Sequence, residues 1–149
     1  MTFEGNDINS DDLNLGGTTG TAIVTDPTDS TNKVLKIAYT DGPGWGNNAG
    51  FDIPTGMKKV VANTITFDIW SDHSSSATQE NGYGYMLKLE LPEGSIEKSF
   101  KADGAGAWQT VTIDLSNCEF NHPTGNCGGQ DNAGNQITRI LLFHRGGSN

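Results

Sequence analysis

The sequence predicts an all-β domain. Three observations support this fold class: apolar and polar residues alternate along most of the chain, turn residues separate the alternating segments, and no segment has the 3.6-residue period of a helix. The chain has 149 residues, of which 20 are glycine and 34% are hydrophobic. Because this length suits one hydrophobic core, we expect a single domain over residues 1–149, folded as a β-sandwich or barrel.

Four strands are predicted in the first half of the chain. They are residues 21–25, 33–39, 48–53 and 60–70. Proline and glycine follow most of them, and these residues fit turns better than strand interiors. The fourth strand alternates strictly between two faces. Its apolar face contains Ile65, Phe67 and Ile69, and its other face contains Thr64, Thr66, Asp68 and Trp70.

Four more strands are predicted in the second half. They are residues 83–91, 96–102, 107–115 and 136–144. A turn at residues 92–95 separates the first two, and the Gly-rich residues 125–134 form a loop within the domain. In residues 83–91 the inward positions include Leu87 and Leu89, so Lys88 and Glu90 face outward. The chain therefore contains eight or nine short strands at regular spacing.

The charge balance excludes some partners. With 18 acidic and 9 basic residues, the net charge is −9, and a surface of this sign repels phosphate backbones. No apolar run reaches the 18 or so residues of a membrane span. We therefore expect neither nucleic acid nor a membrane as a partner. Since no leader precedes Phe3 and Glu4, we expect a module of a longer protein.

The two cysteines, Cys118 and Cys127, lie in a polar stretch. A disulfide between them would close a short loop and contribute roughly 2.5–3 kcal/mol. A zinc site that includes His122 is the alternative, but this set is one ligand short of a structural site. The disulfide interpretation predicts a secreted or cell-surface protein.

Motifs of common hydrolases are absent. The sequence has no Gly-x-Ser-x-Gly nucleophile elbow and no Glu-x-Asp-x-x-Glu strand. A small polysaccharide lyase or hydrolase stays open as an alternative, with Tyr85, Lys88, His144 and Arg145 as its base and charge-neutralising groups. A structural adhesion module without sugar affinity is the other alternative. We expect no catalytic residues.

Three segments carry a resemblance to a known group of proteins. Residues 3–6 (FEGN), 32–37 (NKVLKI) and 108–115 (WQTVTIDL) resemble the carbohydrate-binding modules of the β-sandwich group that contains families four, sixteen and twenty-two. The resemblance implies a jelly-roll sandwich of two antiparallel sheets without catalytic activity. It also implies a structural Ca²⁺, held by the side chains of Glu4 and Asp114. Backbone carbonyls near Asn6 and Lys33, or near Thr2 and Asn32, would complete the site. Six carboxylates and no Lys or Arg in residues 1–32 agree with such a site.

Aromatic rings are the expected sugar contacts, since they stack on the apolar C–H faces of sugars. Trp45 lies between glycines beside Asn47 and Asn48, and Trp70 has the outward parity of its strand. Lys88 and Glu90 would join Trp70 in one groove if their strands are neighbours, although they fit a solvated surface equally well. Trp45 would otherwise cover the core, and Trp108 is expected to pack. The remaining candidates are His73, Tyr85, His144 and Arg145.

The ligand class also comes from the resemblance. Residues 45–51, 69–70 and 87–90 are similar to modules attached to bacterial β-glucan-degrading enzymes. This similarity implies a β-1,3-glucan such as laminarin as the first ligand, and cellulose or mixed-linkage glucan as the second. It further implies a monomeric module that is joined to the catalytic domain of a parent enzyme.

Overall fold

A computed structural model describes residues 8, 10–14, 20–38, 48–56, 64–71, 84–92, 94–102, 106–116, 120–123 and 136–145. These residues form ten strands and a short 3₁₀ turn at Ser10–Asp12. The strands are β1 Leu13–Asn14, β2 Ala22–Thr25, β3 Lys33–Lys36, β4 Asn48–Asp52, β5 Thr64–Ser71, β6 Gly84–Leu91, β7 Gly94–Phe100, β8 Ala107–Asp114, β9 Phe120–Pro123 and β10 Arg139–Arg145. The all-β prediction is confirmed.

The strands pair in three antiparallel groups. Six strands form one sheet in the order β1-β4-β10-β6-β7-β9, and the pairs β2-β3 and β5-β8 form two smaller sheets. The β6-β7 hairpin turns between Leu91 and Gly94, which pair with each other, so β7 begins within the turn predicted at residues 92–95. Strand β3 ends at Lys36, earlier than predicted, and β1 and β9 were not predicted. Both of these strands are too short for their alternation to be recognised in the sequence.

One hydrophobic core joins the β5-β8 pair to the six-stranded sheet. Leu87, Leu89 and Leu91 of β6 are buried in it, and side chains of β5 pack against the same cluster. The Phe67 and Phe100 rings meet edge to face, with centroids 5.3 Å apart. Each fully buried side chain of this kind contributes about 1.5–3 kcal/mol. Since both sheets turn one face towards this core, their other faces point away from each other.

A second, smaller cluster lies on the opposite side of the six-stranded sheet. It consists of Met86, Leu141 and Phe143, which are all buried. Met86 has the parity of Lys88 and Glu90, and Leu141 lies directly across from Lys88 in the ladder between β10 and β6. This face of the sheet is therefore partly covered and only partly open to solvent. Along the described chain, no helix has the length and apolarity to cross a membrane.

Candidate functional site

The outward side of the β5-β8 pair carries two tryptophans among hydroxyl and carboxylate groups. We call this surface the β5-β8 face. Its side chains pair directly across the two strands, as Thr64 with Asp114, Thr66 with Thr112, Asp68 with Thr110 and Trp70 with Trp108. Burial alternates along β5 as the sequence predicted, with Ile65, Phe67 and Ile69 turned inward. The two tryptophans therefore lie side by side at one end of a polar surface.

Trp70 is the exposed ring of this face. Its exposed fraction is 39%, and no other large hydrophobic side chain among the described residues is exposed. Gly106 lies next to the ring, because a Cβ built on it would be 3.9 Å from Cζ2 of Trp70. Gly106 has a φ of +65°, which favours glycine, and its N–H donates to the Ser71 carbonyl at 3.0 Å. At this position of the described chain, Gly106 thus places no side chain against the Trp70 ring.

Trp108 is half-buried and fixed by its indole N–H. This group donates to Asp26 Oδ1 at 3.2 Å and to Thr28 Oγ1 at 3.0 Å. Both acceptors belong to the turn between β2 and β3, so the turn lies against the Trp108 end of β8. Trp108 therefore packs against the β2-β3 turn and also lies on the same face as Trp70. The sequence alone did not predict that Trp70 and Trp108 are cross-strand neighbours, because the pairing of β5 with β8 was unknown.

Asp26 is the acceptor that organises the β2-β3 turn. It receives hydrogen bonds from the Thr28 N–H at 2.7 Å, the Thr28 hydroxyl at 2.8 Å and the Asn32 amide at 2.9 Å. Burial by itself would raise the pKa of the Asp26 carboxyl, but the hydrogen bonds from Thr28, Asn32 and Trp108 outweigh it and lower the pKa to about 2. Asp26 is therefore charged at neutral pH, which strengthens its hold on Trp108.

Hydroxyl groups line the rest of the β5-β8 face. The Thr66 and Thr112 hydroxyls are 3.1 Å apart, and the Thr110 hydroxyl donates to Asp68 Oδ1 at 2.6 Å. All four residues are exposed. Such groups exchange hydrogen bonds with sugar hydroxyls, while an adjacent aromatic ring covers an apolar sugar face. The face can therefore bind a polyhydroxylated ligand without any chemical step.

A row of charges crosses the outward side of the six-stranded sheet. We call Asp52, Arg139, Glu90, Lys88 and Glu97 the charged row. Arg139 makes a bidentate contact with Asp52 and donates to Glu90 at 3.2 Å. Hydrogen bonding to Asp52, together with the charges of Asp52 and Glu90, raises the pKa of Arg139 although burial opposes it. Lys88 Nζ lies 3.5 Å from Glu90 and 3.7 Å from Glu97. These charges are largely compensated by one another.

Glu97 is the member of the row that sequence reasoning missed. Its side chain is buried, and its Oε2 atom has no hydrogen-bond partner in the described part of the chain. Lys88, directly across in the β6-β7 ladder, is the compensating charge. The sequence did indicate which face of β7 Glu97 lies on, because Glu97 follows Ile96 and shares the parity of Ser95. The sequence did not indicate that the Glu97 carboxylate is buried.

The single groove expected from Trp70, Lys88 and Glu90 is not present. Strand β5 pairs with β8, whereas β6 pairs with β7 and β10. Trp70 points away from the shared core on one side, and Lys88 and Glu90 point away from it on the other. The condition for a common groove, that β5 and β6 are neighbours, is therefore not met. Two separate surfaces must therefore be considered.

Tyr85 was expected at the ligand, but it belongs to the core. The residue is 7% exposed, its ring stacks on Phe100 at 5.6 Å, and its hydroxyl lies 2.6 Å from the Ser71 hydroxyl. The inward parity of β6 accounts for this placement. Asn48 lies half-buried at the start of β4, across from Phe143. His144 and Arg145 end β10, across from Tyr85 and Gly84.

Several predicted site residues lie outside the described residues. They are Trp45, Asn47, His73, Glu4, Asn6, Cys118 and Cys127. Their proposed roles in sugar binding, in calcium binding and in a disulfide stay predictions.

Of the four expected calcium ligands, the structure describes only Lys33 and Asp114. Lys33 follows Asn32, which contacts Asp26 and, through it, Trp108. Asp114 lies at the other end of β8, six residues or about 20 Å along the strand. Because Glu4 and Asn6 lie outside the described residues, the calcium site stays a prediction. Among the described side chains, no three His, Cys, Asp or Glu groups are placed to hold a metal.

Comparison of the chain with protein-family models, with curated proteins and with solved structures finds no match. The function must therefore be inferred from the two surfaces themselves.

Proposed function

We propose that this chain is a non-catalytic carbohydrate-binding module, in which the β5-β8 pair and the six-stranded sheet form the two layers of a jelly-roll sandwich. The ligand is a β-glucan, with β-1,3-glucan of the laminarin type first and cellulose or mixed-linkage glucan second. The observation that carries this proposal is the exposed Trp70 ring on a face of hydroxyls. An exposed aromatic ring beside hydroxyl groups is the combination that stacking on a sugar face and hydrogen bonding to its hydroxyls require.

The β5-β8 face suits a sugar better than the charged row does. In the charged row, Arg139 and Lys88 are already engaged by carboxylates, and the neighbouring Met86 and Leu141 are buried. A ligand there would have to break ion pairs before it made new contacts. On the β5-β8 face, by contrast, the ring and the threonine hydroxyls are exposed, so a sugar has to rearrange only exposed hydrogen bonds such as those of Thr66 and Thr110.

Binding to a panel of glycans tests the proposal. Affinity gel electrophoresis with laminarin, mixed-linkage glucan, xylan and alginate, and a pull-down on cellulose, should show retardation or capture by the β-glucans. Stacking on one aromatic ring is worth about 1–3 kcal/mol by analogy with bases. Trp70→Ala should therefore weaken laminarin binding about five- to a hundredfold. No product should appear in a reducing-end or unsaturated-product assay.

Two control variants locate the site. Trp70→Phe keeps a flat ring and should lose less affinity than Trp70→Ala. Lys88→Met changes the opposite side of the molecule and should bind laminarin like the wild type. Equal affinity of Trp70→Ala and the wild type would remove the β5-β8 face as the site, and a loss confined to Lys88→Met would move it to the charged row. Trp45→Ala, tested in parallel, measures the second predicted aromatic contact.

We further propose a secreted or cell-surface module that is monomeric and attached to a catalytic domain. Cys118 and Cys127 would form a disulfide, and Glu4, Asn6, Lys33 and Asp114 would hold a structural Ca²⁺. A thiol assay on unreduced protein should find no free cysteine. Chelation followed by dialysis should lower the melting temperature, since a ligand at a hundredfold excess over its Kd contributes about 2.7 kcal/mol. An unchanged melting temperature would exclude the ion.

A further inference from the structure

Trp108 lies beside Trp70 on the β5-β8 face, although the sequence predicted only a packing role for it. The two residues are directly opposite each other in the β5-β8 ladder. Side chains in such cross-strand pairs have Cβ atoms about 4.5–5.5 Å apart, so two aromatic rings at these positions are neighbours. Trp108 is half-buried, which leaves part of its side chain in contact with solvent. The face therefore presents two adjacent aromatic side chains.

Hydrogen bonds fix the Trp108 ring in place before any ligand arrives. Its indole N–H is engaged by Asp26 and Thr28, so the Trp108 ring can offer a sugar its apolar surface but not its donor. Asp26 is itself held by the Thr28 N–H and the Asn32 amide, and its side chain is buried. The β2-β3 turn thus supplies a preformed anchor for one ring of the pair.

We propose that Trp108 is a second sugar-stacking ring, that Asp26 holds it in its binding position, and that the Trp70-Trp108 pair takes two consecutive units of the glycan. This inference rests on the proposed function and deepens it, because it makes a disaccharide the smallest unit that fills the aromatic site. A ring that is fixed before binding loses little side-chain freedom when a sugar stacks on it. Asp26 acts on the glycan only through Trp108, so it is a positioning residue.

Intermolecular NOEs test the contact between Trp108 and the sugar on the full 149-residue protein. The chain has three tryptophans, whose indole signals are assigned with the variants Trp45→Phe, Trp70→Phe and Trp108→Phe. The probes are the β-1,3- and β-1,4-linked glucose disaccharides, each in excess over the protein. We expect NOEs from sugar C–H protons to ring protons of both Trp70 and Trp108. NOEs to Trp70 without any to Trp108 would overturn the inference.

The number of sugar units that the pair takes is tested by the length of the probe. Methyl β-glucoside is the one-unit probe, and the two disaccharides are the two-unit probes. Because stacking on a second ring adds a further favourable contact, the better disaccharide should bind about five- to a hundredfold more tightly than the one-unit probe. Equal affinities for one and two units would exclude a two-unit site.

Asp26 and Asp29 form a matched pair for testing the positioning role. Asp29 accepts the N–H and hydroxyl of Thr31 in the same type of turn, but no hydrogen bond joins it to Trp108 in the described part of the chain. We expect Asp26→Ala to weaken disaccharide binding about two- to tenfold, the range for one side chain that must be ordered on binding. Asp26→Asn keeps an acceptor oxygen and should lose less affinity, and Asp29→Ala should bind like the wild type.

All titrations are run well below the melting temperature of each variant, so that lost contacts are distinguished from lost folding. A purely structural role of Asp26 would lower the melting temperature and leave the affinity of the folded protein unchanged. That result, or equal affinity losses in Asp26→Ala and Asp29→Ala, would overturn the positioning role.

The same experiments separate this inference from the proposed function. If Trp70→Ala loses affinity and Trp70 shows sugar NOEs while Trp108 shows none, the proposed function holds and the inference fails. If sugar NOEs are confined to Trp45, the proposed site on the β5-β8 face fails together with the inference. If no glycan of the panel binds, the proposed function itself fails.

Discussion

At the level of single residues, the buried contact between Tyr85 and Ser71 ties β6 to β5 across the core. Tyr85→Phe removes one hydroxyl from this contact and leaves the ring on Phe100 in place. Because the Ser71 hydroxyl loses this partner inside the protein, we expect the free energy of unfolding to fall by about 1–2 kcal/mol. Chemical denaturation measures the loss.

The same variant decides the role of Tyr85. Laminarin affinity should be unchanged in Tyr85→Phe, since the hydroxyl points into the core and not at the β5-β8 face. Ser71→Ala, which removes the other hydroxyl, should behave in the same way. Weaker glycan binding with unchanged stability would return Tyr85 to the ligand site.

Gly50 is required for a close approach between two backbones. A Cβ built on it would lie 1.8 Å from the Ile140 carbonyl oxygen, so β4 and β10 would have to separate. We expect Gly50→Ala to cost about 3 kcal/mol or more in unfolding free energy, at the upper end of overpacking effects. The control is Gly56→Ala, because Gly56 has a φ of +95° and open space around it. Backbone strain alone should cost it about 1–2 kcal/mol. Equal losses in the two variants would contradict the close approach.

At the level of the strands, the sequence predicted which side chains lie on each face of a strand, but not which strands are neighbours in a sheet. The alternation of Ile65, Phe67 and Ile69 with Trp70 was sufficient to assign the two sides of β5. It contained no information on whether β5 lies beside β6 or β8, because register and pairing depend on contacts between residues far apart in the sequence. The outward side of Trp70 was therefore predictable, whereas a groove shared with Lys88 could only be stated on the condition that their strands are neighbours, which they are not.

The charged row also depends on strand neighbours that the sequence pattern does not predict. Lys88 and Glu90 were recognised as outward residues, but Glu97, Arg139 and Asp52 join them only because β7, β10 and β4 lie on either side of β6. The burial of Glu97 depends on what covers this face, and no local pattern encodes it. Site residues on one strand can thus be predicted from parity, whereas sites assembled from several strands cannot.

Among the described residues, two hydrogen bonds from Trp108 attach the β2-β3 turn to β8, which makes the docking of the hairpin testable. Trp108→Phe keeps an aromatic ring but removes the N–H that donates to Asp26 and Thr28. We expect a lower melting temperature and faster amide exchange in residues 22–36, with exchange in β6 unchanged at conditions below unfolding. Laminarin affinity should fall less than in Trp70→Ala. Identical exchange in the hairpin of both proteins would show that other contacts hold it.

For the whole molecule, we expect acid stability to depend on a turn motif that occurs three times in the described residues. Asp26, Asp29 and Asp114 each accept the N–H and hydroxyl of the Thr or Ser two residues later. These hydrogen bonds lower the pKa of Asp29 and Asp114 against the opposing effect of burial, and they help to lower that of Asp26 to about 2. The sequence pattern Asp-x-Thr/Ser marks all three turns in advance.

The sign of the resulting pH dependence follows from these lowered values. An unfolded aspartate titrates near 3.9, so between about pH 4 and pH 2 the unfolded chain binds more protons than the folded one. The stabilisation is therefore complete above pH 4 and is lost as the pH falls towards 2.

Urea unfolding at pH 7, 5, 4, 3 and 2 should show this decline. Asp26→Asn should be less stable at pH 7 and should have a shallower slope below pH 4. Repeating the series in 0.5 M NaCl, which screens general charge repulsion, should leave the difference between the two proteins in place. Parallel curves for the wild type and Asp26→Asn would show that the Asp26 turn does not control acid stability.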